Sequence, residues 1–180
     1  MMDGNKMKFL KFIAFTCISL ILAGCGFKLQ QPVNTPFTTI YTNIDHNSDF
    51  GAKLISELKA NAPNLRFVNN KDDAQVQLIQ LSNTRSKLET AINANGYAEE
   101  YLLNLDYRYT LIGPYDVALI PPTRIIKEQY FSYNENQESV KNTELSQTYD
   151  DMETPIITEI TKRVISEEVS SKFLSLSKPK

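Results

Sequence analysis

The chain holds one histidine (His46), two cysteines (Cys17 and Cys25) and no tryptophan. One imidazole and two thiols cannot build a multi-ligand Cys/His zinc site, and their spacing offers neither a CxxC motif nor a disulfide scaffold. No metal and no cofactor is therefore expected. A surplus of one charge is missing too: 19 basic side chains face 21 acidic ones, for a formal charge of −2. That balance excludes nucleic-acid binding by bulk electrostatics. The enzyme signatures GxSxG, Walker A, HExxH and GxGxxG are absent. Asp150-Asp151 and Glu167-Glu168 lie in helical sequence, where neighbours diverge by about 100°, and Glu99-Glu100 lie in a strand, where neighbours point to opposite faces. None of these pairs converges on one substrate atom, and His46 stands in a polar loop. No catalytic residue is assigned, and the chain is not expected to be an enzyme. What remains, 180 residues of which 42% are apolar, is enough for one folded domain.

The first segment is an address. Lys6, Lys8 and Lys11 precede an uncharged stretch from Phe12 to Gly24, whose 13 residues are too few for a spanning helix but suit a secretory signal. It ends in Leu22-Ala23-Gly24-Cys25, which resembles the lipobox of bacterial lipoproteins. In that class the thiol receives a diacylglyceryl group, the peptide is cut before the cysteine, and the new amino group is acylated. Residues 1–24 thus read as a cleaved lipoprotein signal peptide, Cys25 as the lipidated residue, and 25–36, with Pro32 and Pro36, as a tether. Gly26 is not the aspartate that retains many such lipoproteins in the inner membrane, so the expected site is the outer membrane, anchored at its periplasmic leaflet.

Residues 37–174 read as a single domain. Phe37 to Ile44 is β-branched and aromatic, a strand. Ser48 caps a helix whose stripe is Leu54, Ile55 and Leu58, ending at Asn61-Ala62-Pro63. Leu65 to Val68 is a short strand, and strand, helix, strand at this spacing implies a parallel crossover. Ala74 to Ile92 is a long strand whose phase slips between Leu78 and Leu81, as a bulge requires. Asn95-Gly96 is a two-residue hairpin turn. Beyond it Tyr101, Leu103, Leu105, Tyr107, Tyr109 and Leu111 alternate with wetter residues, so this strand covers a core on one side. Pro121-Pro122 argues against regular pairing there, which places the last strand at Arg124 to Tyr133. Leu145, Tyr149, Met152, Ile156, Ile160 and Val164 form one helix face, with Pro155 expected to kink or restart the helix. Residues 175–180 read as a frayed tail. The economical packing is α+β, a two-layer sandwich with two helices on one face of a four-stranded mixed sheet.

Seven of the nine tyrosines fall between Tyr97 and Tyr133, a composition suited to interfaces or to half-buried strands. Arg85, Lys87, Arg108, Arg124 and Lys127 sit on the same long strands, and such groups can meet phosphates through charge-assisted hydrogen bonds.

Several local motifs, taken in order, resemble the LptE (rare lipoprotein B) family of lipopolysaccharide-assembly outer-membrane lipoproteins. Cys25-Gly26-Phe27-Lys28-Leu29 is similar to the family's opening. Asn95-Gly96 followed by Ala98-Glu99-Glu100-Tyr101 resembles its hairpin and strand start, Leu111-Ile112-Gly113-Pro114 its strand end, and the acidic helix with Glu144 and Met152 its last helix. The resemblance implies two helices on a four-stranded sheet and a role: a plug inside the LptD β-barrel that helps it assemble and binds lipopolysaccharide in transit to the outer leaflet. It also implies basic lipopolysaccharide contacts near the hairpin tip and before the last helix. Ala94 occupies the first place, a departure, for which Arg85 and Lys87 stand as substitutes. Lys141 occupies the second. The competing class is a lipid-anchored auxiliary binding subunit of another envelope lipid-transport complex, and a periplasmic hydrolase is a distant third.

Overall fold

The computed structural model describes residues 32–94, 96, 98–132 and 138–177, with side chains of the last group from residue 142. Leu22, Ala23, Gly24 and Cys25 lie outside the described residues. The elements run β1 (Thr39–Thr42), α1 (Asp49–Asn61), β2 (Arg66–Val68), β3 (Val76–Ile92), β4 (Ala98–Ile112), β5 (Ala118–Ser132), α2 (Glu138–Val164) and α3 (Glu167–Ser177). The strands form one sheet in the order β2-β1-β3-β4-β5. β1 pairs in parallel with both β2 and β3, while β3–β4 and β4–β5 are antiparallel.

The architecture is α+β, with five strands and three helices where four and two were expected. The count of four leaves out a strand that the sequence itself suggests: within Leu65–Val68, the three residues of β2 pair with β1 through Thr39↔Arg66 to Tyr41↔Val68. The extra helix arises at Ile165-Ser166. The Ser166 hydroxyl accepts from the Val169 amide at 3.3 Å, and Glu167 and Glu168 fill the first turn that follows, a capped start with acids at the positive helix end. Pro155, in contrast, does not divide α2, which continues through it. Pro155 and Asp151 are both exposed, so the carbonyl that loses its amide partner faces water.

Three further boundaries move. β5 begins at Ala118 and runs through Pro121-Pro122. It is an edge strand, where proline is tolerated. The register shifts between Tyr109↔Thr123 and Leu111↔Ile120, and the Thr110 hydroxyl donates to the Ile120 carbonyl at 2.7 Å. The proline pair therefore sits in a bulge secured by a side chain. Val33 and Thr35, which fall in the 25–36 segment read from the sequence as a tether, are fixed to the domain: Val33 donates its amide to the Asn61 carbonyl at 2.7 Å, and Thr35 is buried with its carbonyl accepting from the Asn64 side-chain amide at 2.9 Å. At the other end the helix reaches Ser177 rather than 174, its last hydroxyl bonded back to Phe173.

α1 starts where the sequence places it, with the Ser48 hydroxyl accepting from the Gly51 amide at 3.0 Å. Gly51 is required there, because a Cβ would run into the backbone oxygen of Asp45. The long hairpin also follows the sequence pattern. Tyr101, Leu103, Leu105, Tyr107, Tyr109 and Leu111 are all buried. The β3 slip is a bulge between Gln80 and Ser82. Its far end differs: Ile92 pairs with Ala98, and the Gly96 amide donates to Asn93 at 3.0 Å, so residues 93–97 make a longer connection. Gly96 adopts φ +84, the left-handed conformation that glycine tolerates; Asn95 lies outside the described residues. All three helices pack on one sheet face. Phe50 of α1 meets Tyr107 at 4.9 Å and Phe173 of α3 meets Phe37 at 5.3 Å. Tyr149, Met152, Ile156, Ile160 and Val164 of α2 are buried against the same core.

Candidate functional site

Among the described residues, no layer covers the second face of β3, β4 and β5. Antiparallel partners share a face, so the register assigns every strand side chain. The bare face carries Arg108↔Arg124, Asn104↔Glu128 and Leu102↔Tyr130 from β4 and β5, and from β3 Ser82, Thr84, Ser86 and Leu88. The helix-covered side carries Leu105↔Lys127 together with Arg85 and Lys87, which oppose Leu105 and Leu103. The bulge at Leu81 is responsible. Before it, even-numbered Val76 and Leu78 face the core; after it, odd-numbered residues do, and Arg85 and Lys87 swing to the helix side. The five cations of the three long strands are thus divided between two faces.

On the bare face charge is matched locally. Arg124 grips Asp106 through two nitrogens, Nη2 at 2.7 Å and Nε at 3.0 Å, and Arg108 approaches the same carboxylate at 3.6 Å. Hydrogen bonding from Arg124 holds the Asp106 carboxyl below its ordinary range. Asn104 donates to Glu128 at 3.1 Å. Next to these polar rungs lies an apolar one, Leu88–Leu102–Tyr130, whose outer members are 64% and 63% exposed.

Arg85 is tied to α2. Its Nη2 lies 2.8 Å from Glu153 Oε1 and 3.3 Å from Asp150 Oδ1, and its guanidinium stacks 5.1 Å from the Tyr149 ring. The Tyr149 hydroxyl in turn donates to the Ser86 carbonyl at 2.7 Å. Burial opposes the charge on Arg85, but Glu153 and Asp150 outweigh it and the pKa is raised. The surroundings form a cavity of about 480 Å³ lined by Asp45, Asp49, Asp150 and Glu153 as well as Arg85. Four carboxylates around one guanidinium make a poor seat for a phosphate. Lys87 is exposed, its ammonium 5.1 Å above the Tyr101 ring. Lys141 belongs to the first turn of α2, which begins beyond the end of β5; its side chain lies outside the described residues. Lys127 approaches Glu159 at 3.7 Å.

The tyrosine cluster separates as well. Tyr101, Tyr107 and Tyr109 belong to the core, and burial pushes the Tyr107 and Tyr109 hydroxyls above their ordinary range. Tyr115 and Tyr130 are exposed, and Tyr97 and Tyr133 lie outside the described residues. His46 is exposed and edge-on to Phe67 at 6.2 Å. Among the described residues no group of three or more His, Cys, Asp or Glu is placed to hold a metal ion, and no helix is long and apolar enough to cross a membrane. Sequence reasoning missed Glu153. Its side chain is 3% exposed and its Oε2 has no hydrogen-bond partner among the described residues. The available signal was an acid four residues beyond Tyr149 on the apolar stripe of α2.

What this fold defines is a class: an α+β domain with three helices on one face of a mixed five-stranded sheet and a broad bare face on the other. The same architecture occurs in lipoprotein B from Nitrosomonas europaea (20% identity, TM-score 0.62, covering 84% of this chain and 94% of that one). It recurs in the rare lipoprotein B from Shewanella oneidensis (15%, 0.57, 78% and 98%) and in a minor lipoprotein from Acinetobacter baumannii (17%, 0.55, 72% and 91%). No curated protein matches the chain in sequence. The family model for LptE, lipopolysaccharide-assembly, matches residues 37–164. The chain belongs to the LptE lipopolysaccharide-assembly family.

Proposed function

We propose that this protein is an outer-membrane lipoprotein that plugs and helps assemble an LptD-type β-barrel and binds lipopolysaccharide on its way to the outer leaflet. The observation that carries the reading is the family match over residues 37–164, which spans the whole sheet and both long packing helices. The anchor is Cys25, S-diacylglycerylated and N-acylated after cleavage behind Leu22-Ala23-Gly24. At about 0.8 kcal/mol per buried methylene, several acyl chains hold the domain at the periplasmic leaflet and raise its effective concentration beside a barrel partner. Barrel interiors are polar, and the bare face suits such a wall. Its Asp106–Arg124–Arg108 and Asn104–Glu128 groups remain hydrogen-bonded without a covering layer, while Leu88, Leu102 and Tyr130 supply apolar contact.

Lys141 and Lys87 are the proposed contacts for lipid A or core phosphates; Arg85, read from the sequence as a third, is ringed by carboxylates and serves instead to hold α2 to β3 through Glu153. In purified protein, Lys141→Glu is expected to weaken lipopolysaccharide binding while leaving the circular dichroism spectrum unchanged. Undiminished binding by that variant removes Lys141 from the site.

A further inference from the structure

A short stretch of chain joins the proposed anchor to one end of the sheet. From Cys25 to Pro32 the chain advances seven residues, which reach at most about 25 Å when fully extended. Pro32 adjoins Val33, whose amide is fixed to the Asn61 carbonyl at the end of α1. The pairings Ile40↔Val76, Gln77↔Ile112 and Ile112↔Ala118 place the β4–β5 turn at this same end, where β1 begins. α3 packs against that turn, and its Phe173 against Phe37.

The turn is built against backbone preference. Val117 donates to Pro114 at 3.2 Å across Tyr115 (φ 58, ψ 29) and Asp116 (φ 57), two successive left-handed residues as in a type I′ turn. Such positions favour Asn and Gly, and a bulky residue there is an outlier that invites a functional explanation. Packing does not supply one, since Tyr115 is 84% exposed. Among the described residues, Val33 (37%) and Leu174 (50%) are further exposed apolar side chains at this end. An aromatic ring with a polar tip suits the boundary between headgroups and acyl chains.

We infer that the end of the sheet carrying Tyr115 rests on the phospholipid leaflet that holds the anchor, with the Tyr115 ring seated among the headgroups and Val33 and Leu174 beside it. The inference rests on the lipidation of Cys25 proposed above. The absence of native tryptophan permits a clean test. Tyr115→Trp and, as a control on the bare face, Tyr130→Trp are prepared as full-length lipidated proteins. Each is reconstituted into phosphatidylethanolamine–phosphatidylglycerol vesicles, with and without lipids brominated near the headgroup. The expected result is a blue-shifted Tyr115→Trp emission that loses more than half its intensity to the brominated lipid, with Tyr130→Trp unaffected. If both proteins float with the vesicles and neither is quenched, or both are quenched alike, the inference is overturned while the anchor stands. If neither floats, the anchor and the inference fail together.

Discussion

The contact that most directly ties α2 to β3 is the one between Arg85 and Glu153, and it gives a quantitative prediction. The Glu153 side chain is 3% exposed, with one oxygen held by Arg85 at 2.8 Å and the other without a hydrogen-bond partner among the described residues. Removing Arg85 leaves a buried carboxylate with no cation. Breaking a buried pair from one side costs about 3–5 kcal/mol. Arg85 itself is 40% exposed, so water enters the gap, and Arg85→Ala is expected near the bottom of that range, about 3 kcal/mol. Against a total stability of about 5–15 kcal/mol that loss is conspicuous in urea unfolding followed by far-UV circular dichroism. The decisive comparison is the double variant. With Glu153→Leu added, no charge remains stranded, and about 2 kcal/mol should return. What stays lost is the guanidinium stacked on Tyr149, about 0.5–1 kcal/mol. Equal destabilisation of the single and double variants would falsify the idea that a buried, cation-dependent carboxylate fastens this helix.

Two further outcomes follow from other parts of the sheet. The Asp106 carboxyl is lowered from 3.8 in the fold, first through the Arg124 hydrogen bond, with burial opposing. Its contribution to stability is therefore complete above the unfolded value and disappears as pH falls through the lower folded one. Unfolding of wild type and Asp106→Asn should differ by a constant amount from neutral pH down to about 4 and converge below it; a gap that persists at the acid end would count against the bridge. At the β4–β5 turn, Tyr115→Asn combined with Asp116→Gly replaces two disfavoured left-handed residues with the preferred pair and should stabilise the fold by about 1–2 kcal/mol. An unchanged or lower melting temperature would show that the turn is not strained.

The parts of the fold that were legible depend on local periodicity. Alternation along β4, the phase slip at Leu81 and the Tyr149-to-Val164 stripe each repeat over many residues, and each survives in the structure. What was hidden depends on neighbours distant in sequence. Pro121-Pro122 argues against pairing unless β5 is known to be an edge with Thr110 opposite. Ser166 before two glutamates is a helix start that the continuing apolar stripe masked. The same division holds for the site. The strand cations were visible as residues, but their faces were not, because the bulge inverts the parity of β3. Arg85 therefore meets Glu153 and Asp150 in a carboxylate-lined cavity. Lys87 remains exposed above Tyr101.

Purification from detergent-solubilised membranes followed by intact-mass spectrometry tests most directly whether this lipid-anchored domain works through a barrel partner. The expected product begins at Cys25, carries three acyl chains and brings down a large outer-membrane β-barrel at equal stoichiometry. Recovery of an unmodified thiol at Cys25, or co-purification with an inner-membrane ABC-type transport complex instead of a barrel, would contradict it.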